Sequence, residues 1–176
     1  MDEAQMIHNE YGRVPASNGW FTVNVRDAAW VRNEQFGDAC TFEGDQPVFG
    51  QIGYTLAVLQ PGQPSGMYHR EDDQEDFLVL SGECLAIIEG QERRLRAWDF
   101  VHCPPGTAHI FVGAGDGPCA IFMAGGRANR GSARYLRDEA ALRHGAGPET
   151  DTPDSKQAYA AFPPWRPSQP KGAWPL

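Results

Sequence analysis

Residues 67–113 read MYHREDDQEDFLVLSGECLAIIEGQERRLRAWDFVHCPPGTAHIFVG. Side chains alternate faces along a strand, so His69 and Glu71 share one face if residues 68–71 are extended. A short acidic turn follows, and Glu75-Asp76-Phe77-Leu78-Val79-Leu80 reads as the returning strand, with Glu75, Phe77 and Val79 on one face. A hairpin of this kind brings Glu75 opposite His69 and Glu71. Cys103-Pro104-Pro105-Gly106-Thr107 is a turn, because proline fixes φ and glycine supplies φ > 0. It delivers His109 at the head of another apolar strand, Ile110 to Val112. Two imidazoles with carboxylates at these spacings are what a divalent metal site on β-strands needs.

Outward from this stretch, the chain keeps the same rhythm. Ile52 to Leu59 reads as a strand apolar on both faces. Cys84 to Ile88 turns at Glu89-Gly90-Gln91 into Arg93 to Arg96, and residues 98–103 precede the proline turn. Gly113 to Pro118 is a turn, and Cys119 to Ala124 closes the series. Short strands so spaced suit a barrel or jelly roll. Upstream, Trp20 to Arg26 alternates apolar with polar and predicts a half-buried strand, with a second at Ala39 to Phe42. Residues 1–18 are polar and are expected on the surface. Downstream, Asp138 is placed to cap a helix over Glu139 to His144, stopped by Gly145. Thr152 and Pro153 predict another helix start, with the helix running to about Ala161. A proline-rich tail follows, and Trp165 and Trp174 suggest that it packs on a surface. The chain therefore divides into an N-terminal arm (1–49), an all-β barrel core (50–124) and a C-terminal extension with short helices (125–176). No internal repeat is evident, so one core is expected.

Composition narrows the function. A net charge of −8 over 176 residues argues against general nucleic-acid or anionic-membrane binding. No apolar run reaches transmembrane length, and the opening MDEAQM lacks a signal-peptide pattern. Cys40, Cys84, Cys103 and Cys119 show no CxxC spacing and read as reduced thiols of a cytoplasmic protein.

The pattern His69, Glu71, Glu75 and Gly82 resembles the first motif of the cupin superfamily, and Pro104, Gly106 and His109 resemble the core of the second. Pro61-Gly62 upstream is also typical. The resemblance covers roughly residues 50–124. It implies a small double-stranded β-helix barrel of jelly-roll type, with His69, Glu75 and His109 at ligand positions for one divalent transition metal. The family's second histidine is Glu71 here, the glycine that opens its second motif is Trp98, and the asparagine that often closes it is Gly113. The harder donor set admits zinc, iron(II), manganese(II) or nickel. Glu71 is a candidate fourth ligand, substrate contact or catalytic base. With Glu75 it would neutralise a dication fully. The N-terminal arm implies, by the same analogy, a homodimer.

Other polar residues have plainer readings. Asp72, Asp73 and Asp76 read as a solvated turn, without the glycine and spacing of an EF-hand loop. His102 is out of phase with Val101 and Cys103 and is expected to face outwards, with Cys103 an inert buried thiol. Arg127, Arg130, Arg134 and Arg137 read as an exposed stripe paired with acids. Three functions follow: a metal-dependent oxygenase or isomerase acting on a small organic molecule, a non-catalytic metal or small-molecule binder, and a metal-free sugar-epimerase type using His69 with Tyr54 or Tyr68. In the first, Met67, Phe77, Val79 and Phe111 would shape the pocket.

Overall fold

Short apolar segments alternating with tight turns give fourteen strands and two short helices in the computed structural model, which describes residues 1–43 and 48–169. In chain order these are β1 (Met6–Asn9), β2 (Gly12–Pro15), β3 (Trp30–Asn33), β4 (Gly37–Cys40), β5 (Ile52–Leu59), β6 (His69–Arg70), β7 (Glu75–Ser81), β8 (Glu83–Ile88), β9 (Gln91–Arg96), β10 (Phe100–Cys103), β11 (His109–Ala114), β12 (Cys119–Gly126), β13 (Arg134–Tyr135), α1 (Glu139–Arg143), α2 (Ser155–Ala158) and β14 (Arg166–Ser168). Two antiparallel sheets form the body, in the orders β10-β7-β12-β5-β4-β3-β14 and β13-β6-β11-β8-β9. The fold is the expected all-β double-stranded β-helix.

The inner faces of both sheets meet in one core. Leu59, Phe77, Val79, Phe111 and Ile121 lie there with Cys84, Cys103 and Cys119, each at most 4% exposed. Burying each large apolar side chain contributes about 1.5–3 kcal/mol. Strand β11 explains the arrangement best, because residues 109–113 are all buried. Its odd positions, His109 and Phe111, join the inner side. Its even positions, Ile110 and Val112, face Ala140, Ala141 and Ala146 of the C-terminal extension. Edge strand β9 (QERRLR) instead carries exposed arginines, which discourage further strand pairing.

The N-terminal arm departs from the reading by pattern. Residues 20–26 form no strand. Asn24 accepts the Arg26 N–H with its side chain at 3.0 Å, and its carbonyl takes the N–H groups of Asp27 and Ala28. A side chain that satisfies its own backbone competes with a ladder. The strands lie at β3 and at β4, which overlaps the strand expected at 39–42, and β1 and β2 form a separate hairpin within residues 1–18. Val23 and Val25 pack on Ala28, Trp30, Cys40, Leu56 and Ala120, so the arm covers its own barrel. Val23 and Val25 are thus covered within one chain, while Trp20 stays half exposed.

Of the two later sequence departures, one carries a conformational cost and the other has a steric reason. Trp98, where the family has glycine, sits at φ 75° in the β9–β10 turn, a left-handed conformation that costs a bulky residue energy. Gly113 cannot carry a side chain, since a Cβ there would collide with the Gln60 carbonyl. In the extension, α1 forms as expected with Asp138 as its cap. The second helix starts later than predicted, with Asp154 as cap, because Thr152 is held in a bridge to Tyr135. The tail adds β14 to the outer edge of β3, where Pro167 is tolerated, and Trp165 stacks on Phe36 at 6.3 Å. Trp174 lies outside the described residues.

Arg127, Arg130, Arg134 and Arg137 share no helix; Arg134 lies in β13. Arg127 instead pins the arm to the barrel. Its guanidinium pairs with Glu43 through both carboxylate oxygens and donates to the Phe49 carbonyl at 2.7 Å. Glu43 also accepts the N–H groups of Val48 and Phe49. Burial alone would raise the Glu43 carboxyl, yet these bonds hold it below its ordinary value. A depressed acid contributes stability above its unfolded value that is lost as pH falls through the folded one. Replacing Arg127 by alanine strands a buried carboxylate and is expected to cost about 3–5 kcal/mol. Urea unfolding at neutral pH measures this, and an unchanged midpoint would contradict it.

Candidate metal centre

Strand register builds the site. His69 of β6 stands directly opposite His109 of β11, and their rings are 5.2 Å apart. Glu75 opens β7 in the other sheet, opposite Cys103 on one side and Gly125 on the other. The proline turn sets the height of His109: Thr107 N–H bonds the Pro104 carbonyl at 3.1 Å and Gly106 N–H bonds the Glu71 carbonyl at 2.7 Å. One ligand atom each from His69, Glu75 and His109 lies within 4.8 Å of the others.

Both imidazoles are oriented by backbone. His69 Nδ1 lies 2.8 Å from the Met67 carbonyl, and His109 Nδ1 lies 3.0 Å from the Thr107 carbonyl. A carbonyl only accepts, so each Nδ1 carries the hydrogen and each Nε2 presents a lone pair. His109 Nε2 faces Glu75 at 3.3 Å. Burial and the neighbouring His69 push His109 down to about 4, while burial, Glu71 and Asp73 push Glu75 up to about 7. Burial lowers His69 as well. The His109–Glu75 contact is therefore no ion pair. It sets a neutral imidazole beside a carboxyl whose proton is harder to remove than usual.

Exposure grades the acids and bases of the site. The side chains of His109, Glu75, His69 and Glu71 are 4, 18, 21 and 33% exposed. Glu71 is 3.9 Å from His69 Nε2 but outside the mutually close group, so it stands at the rim. A cleft of about 370 Å³ opens there, lined by Tyr54, Thr55, Glu71, Glu75, Met123 and Arg130 with several glycines. The four residues expected to line the pocket do not line this cleft. Phe77, Val79 and Phe111 are consumed by the core beneath, where Phe77 stacks 4.9 Å from His109. Met67 points to the C-terminal extension, whose Tyr159 hydroxyl accepts its N–H at 3.0 Å. Tyr68 is likewise removed from the site, its hydroxyl accepting the Gly90 N–H.

Several contributors escaped the sequence reading. Tyr135 pairs with His69 across β13 and β6, with rings 5.8 Å apart, and Tyr159 packs edge-on against Tyr135 at 5.6 Å. Asp73 is buried rather than solvated, accepting from the Asn129 backbone at 2.7 Å and side chain at 3.1 Å. His102 faces out as expected and pairs with Asp76 at 2.6 Å. Cys103 is buried, its thiol pushed up to about 11 chiefly by burial. A signal existed only for Tyr159, two residues from the end of the predicted second helix.

Tyr159 thus holds Met67, the residue whose carbonyl orients His69. Tyr159→Phe removes that acceptor from a buried N–H and should cost about 1–3 kcal/mol. Chemical denaturation reads this, with Tyr11→Phe as a surface control, and equal stabilities would contradict the contact.

Residues 55–125 match the family model described as "Cupin domain". No curated protein matches the chain. Among solved structures, the polyketide cyclase RemF from Streptomyces resistomycificus is 14% identical, with 64% of this chain and 82% of that one covered at a TM-score of 0.54. A Cupin 2 conserved barrel domain protein from Salinispora arenicola is 20% identical, with 64% and 92% covered at 0.51. A putative sugar phosphate isomerase from Acidithiobacillus ferrooxidans is 28% identical, with 44% and 51% covered at 0.42, so this chain spans about half its length. A second structure so described, from Silicibacter pomeroyi, is covered over 59% of its length. Residues 55–125 thus carry a cupin barrel, and likenesses to the RemF and Salinispora structures at these identities bear on the fold alone.

Proposed function

We propose that His69, Glu75 and His109 hold one divalent transition metal, and that the cleft above it takes a small organic molecule for oxygenase- or isomerase-type chemistry. One observation carries this reading. Two Nε2 lone pairs and a carboxyl group converge within 4.8 Å, and among the described residues no other group donates a hydrogen bond to them. Converging acceptors repel unless a cation or proton sits among them. Metal–ligand bonds of about 2.0–2.2 Å put such donors roughly 3–4 Å apart, so the donor set fits. Zinc, iron(II), manganese(II) and nickel all accept two imidazoles and a carboxylate.

A bound dication would polarise a substrate oxygen. The chain's own residues supply the rest. The Met67 and Thr107 carbonyls fix the imidazoles. Glu75 must release its proton to bind a metal. Glu71, at the rim and outside the triad, is placed to move a proton to or from a bound molecule rather than to complete the coordination. Coordination by all four residues would lean towards binding without turnover, and the place of Glu71 at the rim counts against it. The metal-free epimerase reading loses Tyr68 but keeps Tyr54 in the cleft. All three triad residues come from one chain, so the reading requires no dimer. Among the described residues, no helix is long and apolar enough to cross a membrane.

Two tests follow. Because Glu75 sits near 7 without metal, zinc affinity should rise with pH below about 7 by up to tenfold per unit, and level off above. Competition titrations from pH 5.5 to 8 read this, and a flat profile would contradict it. His109→Ala should abolish stoichiometric metal with the fold retained, since the apolar core carries the stability. Elemental analysis and circular dichroism decide, and full metal content in a His69→Ala, His109→Ala double variant would end the proposal.

A further inference from the structure

The same cleft has a cationic wall. Arg130 lies in the turn after β12 and lines the cleft together with Glu71 and Glu75. Its Nη2 donates to the Phe49 carbonyl at 3.0 Å, and among the described residues no carboxylate pairs with it. Arg127, beside it, is already spent on Glu43 and Phe49. The turn that carries Arg130 is fixed from two sides. Asp73 takes the Asn129 backbone N–H at 2.7 Å, and Phe49 holds the Arg130 guanidinium itself. Glycines at 53, 125, 126 and 131 keep the space between the acidic and basic walls open. A planar guanidinium with donors to spare is suited to carboxylate and phosphate oxygens.

We infer that Arg130 is the anion subsite of this cleft, and that the molecule bound there is small and carries a single carboxylate or phosphate at the end away from the triad. The inference rests on the metal reading for its charge balance. Glu71 and Glu75 face one guanidinium across the cleft, so without a metal the lining offers an anion no excess of positive charge. A dication at the triad makes it net positive. Metal and anion should therefore strengthen each other's binding, and reciprocally. The volume of about 370 Å³ is at the small end for organic ligands, which suits a small molecule.

The test uses the full chain, metal-free and zinc-loaded, with zinc content measured first. Methyl phosphate and propionate are titrated separately by calorimetry, which separates the two oxyanion classes. The expected result is saturable binding of at least one of them, stronger with zinc. In Arg130→Ala that affinity should fall roughly ten- to hundredfold, in line with the loss of a charge-assisted bond. Arg130→Lys should recover part of it, and Arg93→Ala, on exposed β9, should change nothing. Anion binding to Arg130→Ala within twofold of the unsubstituted chain would overturn the inference, as would zinc-loaded protein that binds neither probe. If zinc is not taken up, the metal reading fails on that measurement alone, and the comparison of Arg130→Ala on metal-free protein still decides the subsite.

Discussion

Two backbone carbonyls, those of Met67 and Thr107, set the chemistry of this protein. Each takes the Nδ1–H of a histidine, and each thereby turns an Nε2 lone pair inwards. The lone pairs meet a carboxylate whose own burial favours its protonated form. Such a cluster is electrostatically incomplete. The neighbouring structure can be understood as what keeps these three acceptors together despite that. The price is met by the apolar core beneath them, where Phe77 and Phe111 support His109 from below.

The extensions outside the barrel serve the same end. Strand β6, which carries His69, is only two residues long and has β11 on one side and β13 of the C-terminal extension on the other. Tyr68 N–H bonds the Ala146 carbonyl at 2.6 Å, and Met67 N–H bonds Tyr159 at 3.0 Å. Without residues 134–159 the His69 strand would be a frayed edge. On the opposite sheet, Arg127 and Glu43 tie the arm to the rim of the cleft. The cleft wall and the strand that carries His69 are therefore both anchored in segments outside the barrel.

Much of this was legible in the sequence, for identifiable reasons. Period-two alternation and proline-glycine turns are local signals, so β5 to β12 and the positions of His69, Glu75 and His109 could be read directly. The cap Asp138 is local as well. What failed depended on distant partners. The alternation of residues 20–26 was overridden by the Asn24 side chain, and the real strands β3 and β4 are stabilised by pairing with β5 and β14. Asp73 looks solvated until Asn129, 56 residues on, is brought to it. The arginines from 127 to 137 look like a stripe until the turn at 128–131 sends each a different way. Phe77, Val79 and Phe111 were on the correct face of their strands, but depth along the barrel decides whether that face lines a pocket or fills a core, and alternation carries no depth. Of the departures from the family pattern, Gly113 follows from a close backbone approach, while Trp98 occupies a left-handed position at evident cost, and nothing in the structure explains its choice.

The central claim is that the three converging acceptors are a metal cradle. Crystals grown with zinc and measured on both sides of the zinc absorption edge test it most directly. The account predicts one anomalous peak bonded at about 2.0–2.2 Å to Nε2 of His69, Nε2 of His109 and a Glu75 oxygen. Anomalous density elsewhere with none between these side chains would contradict it.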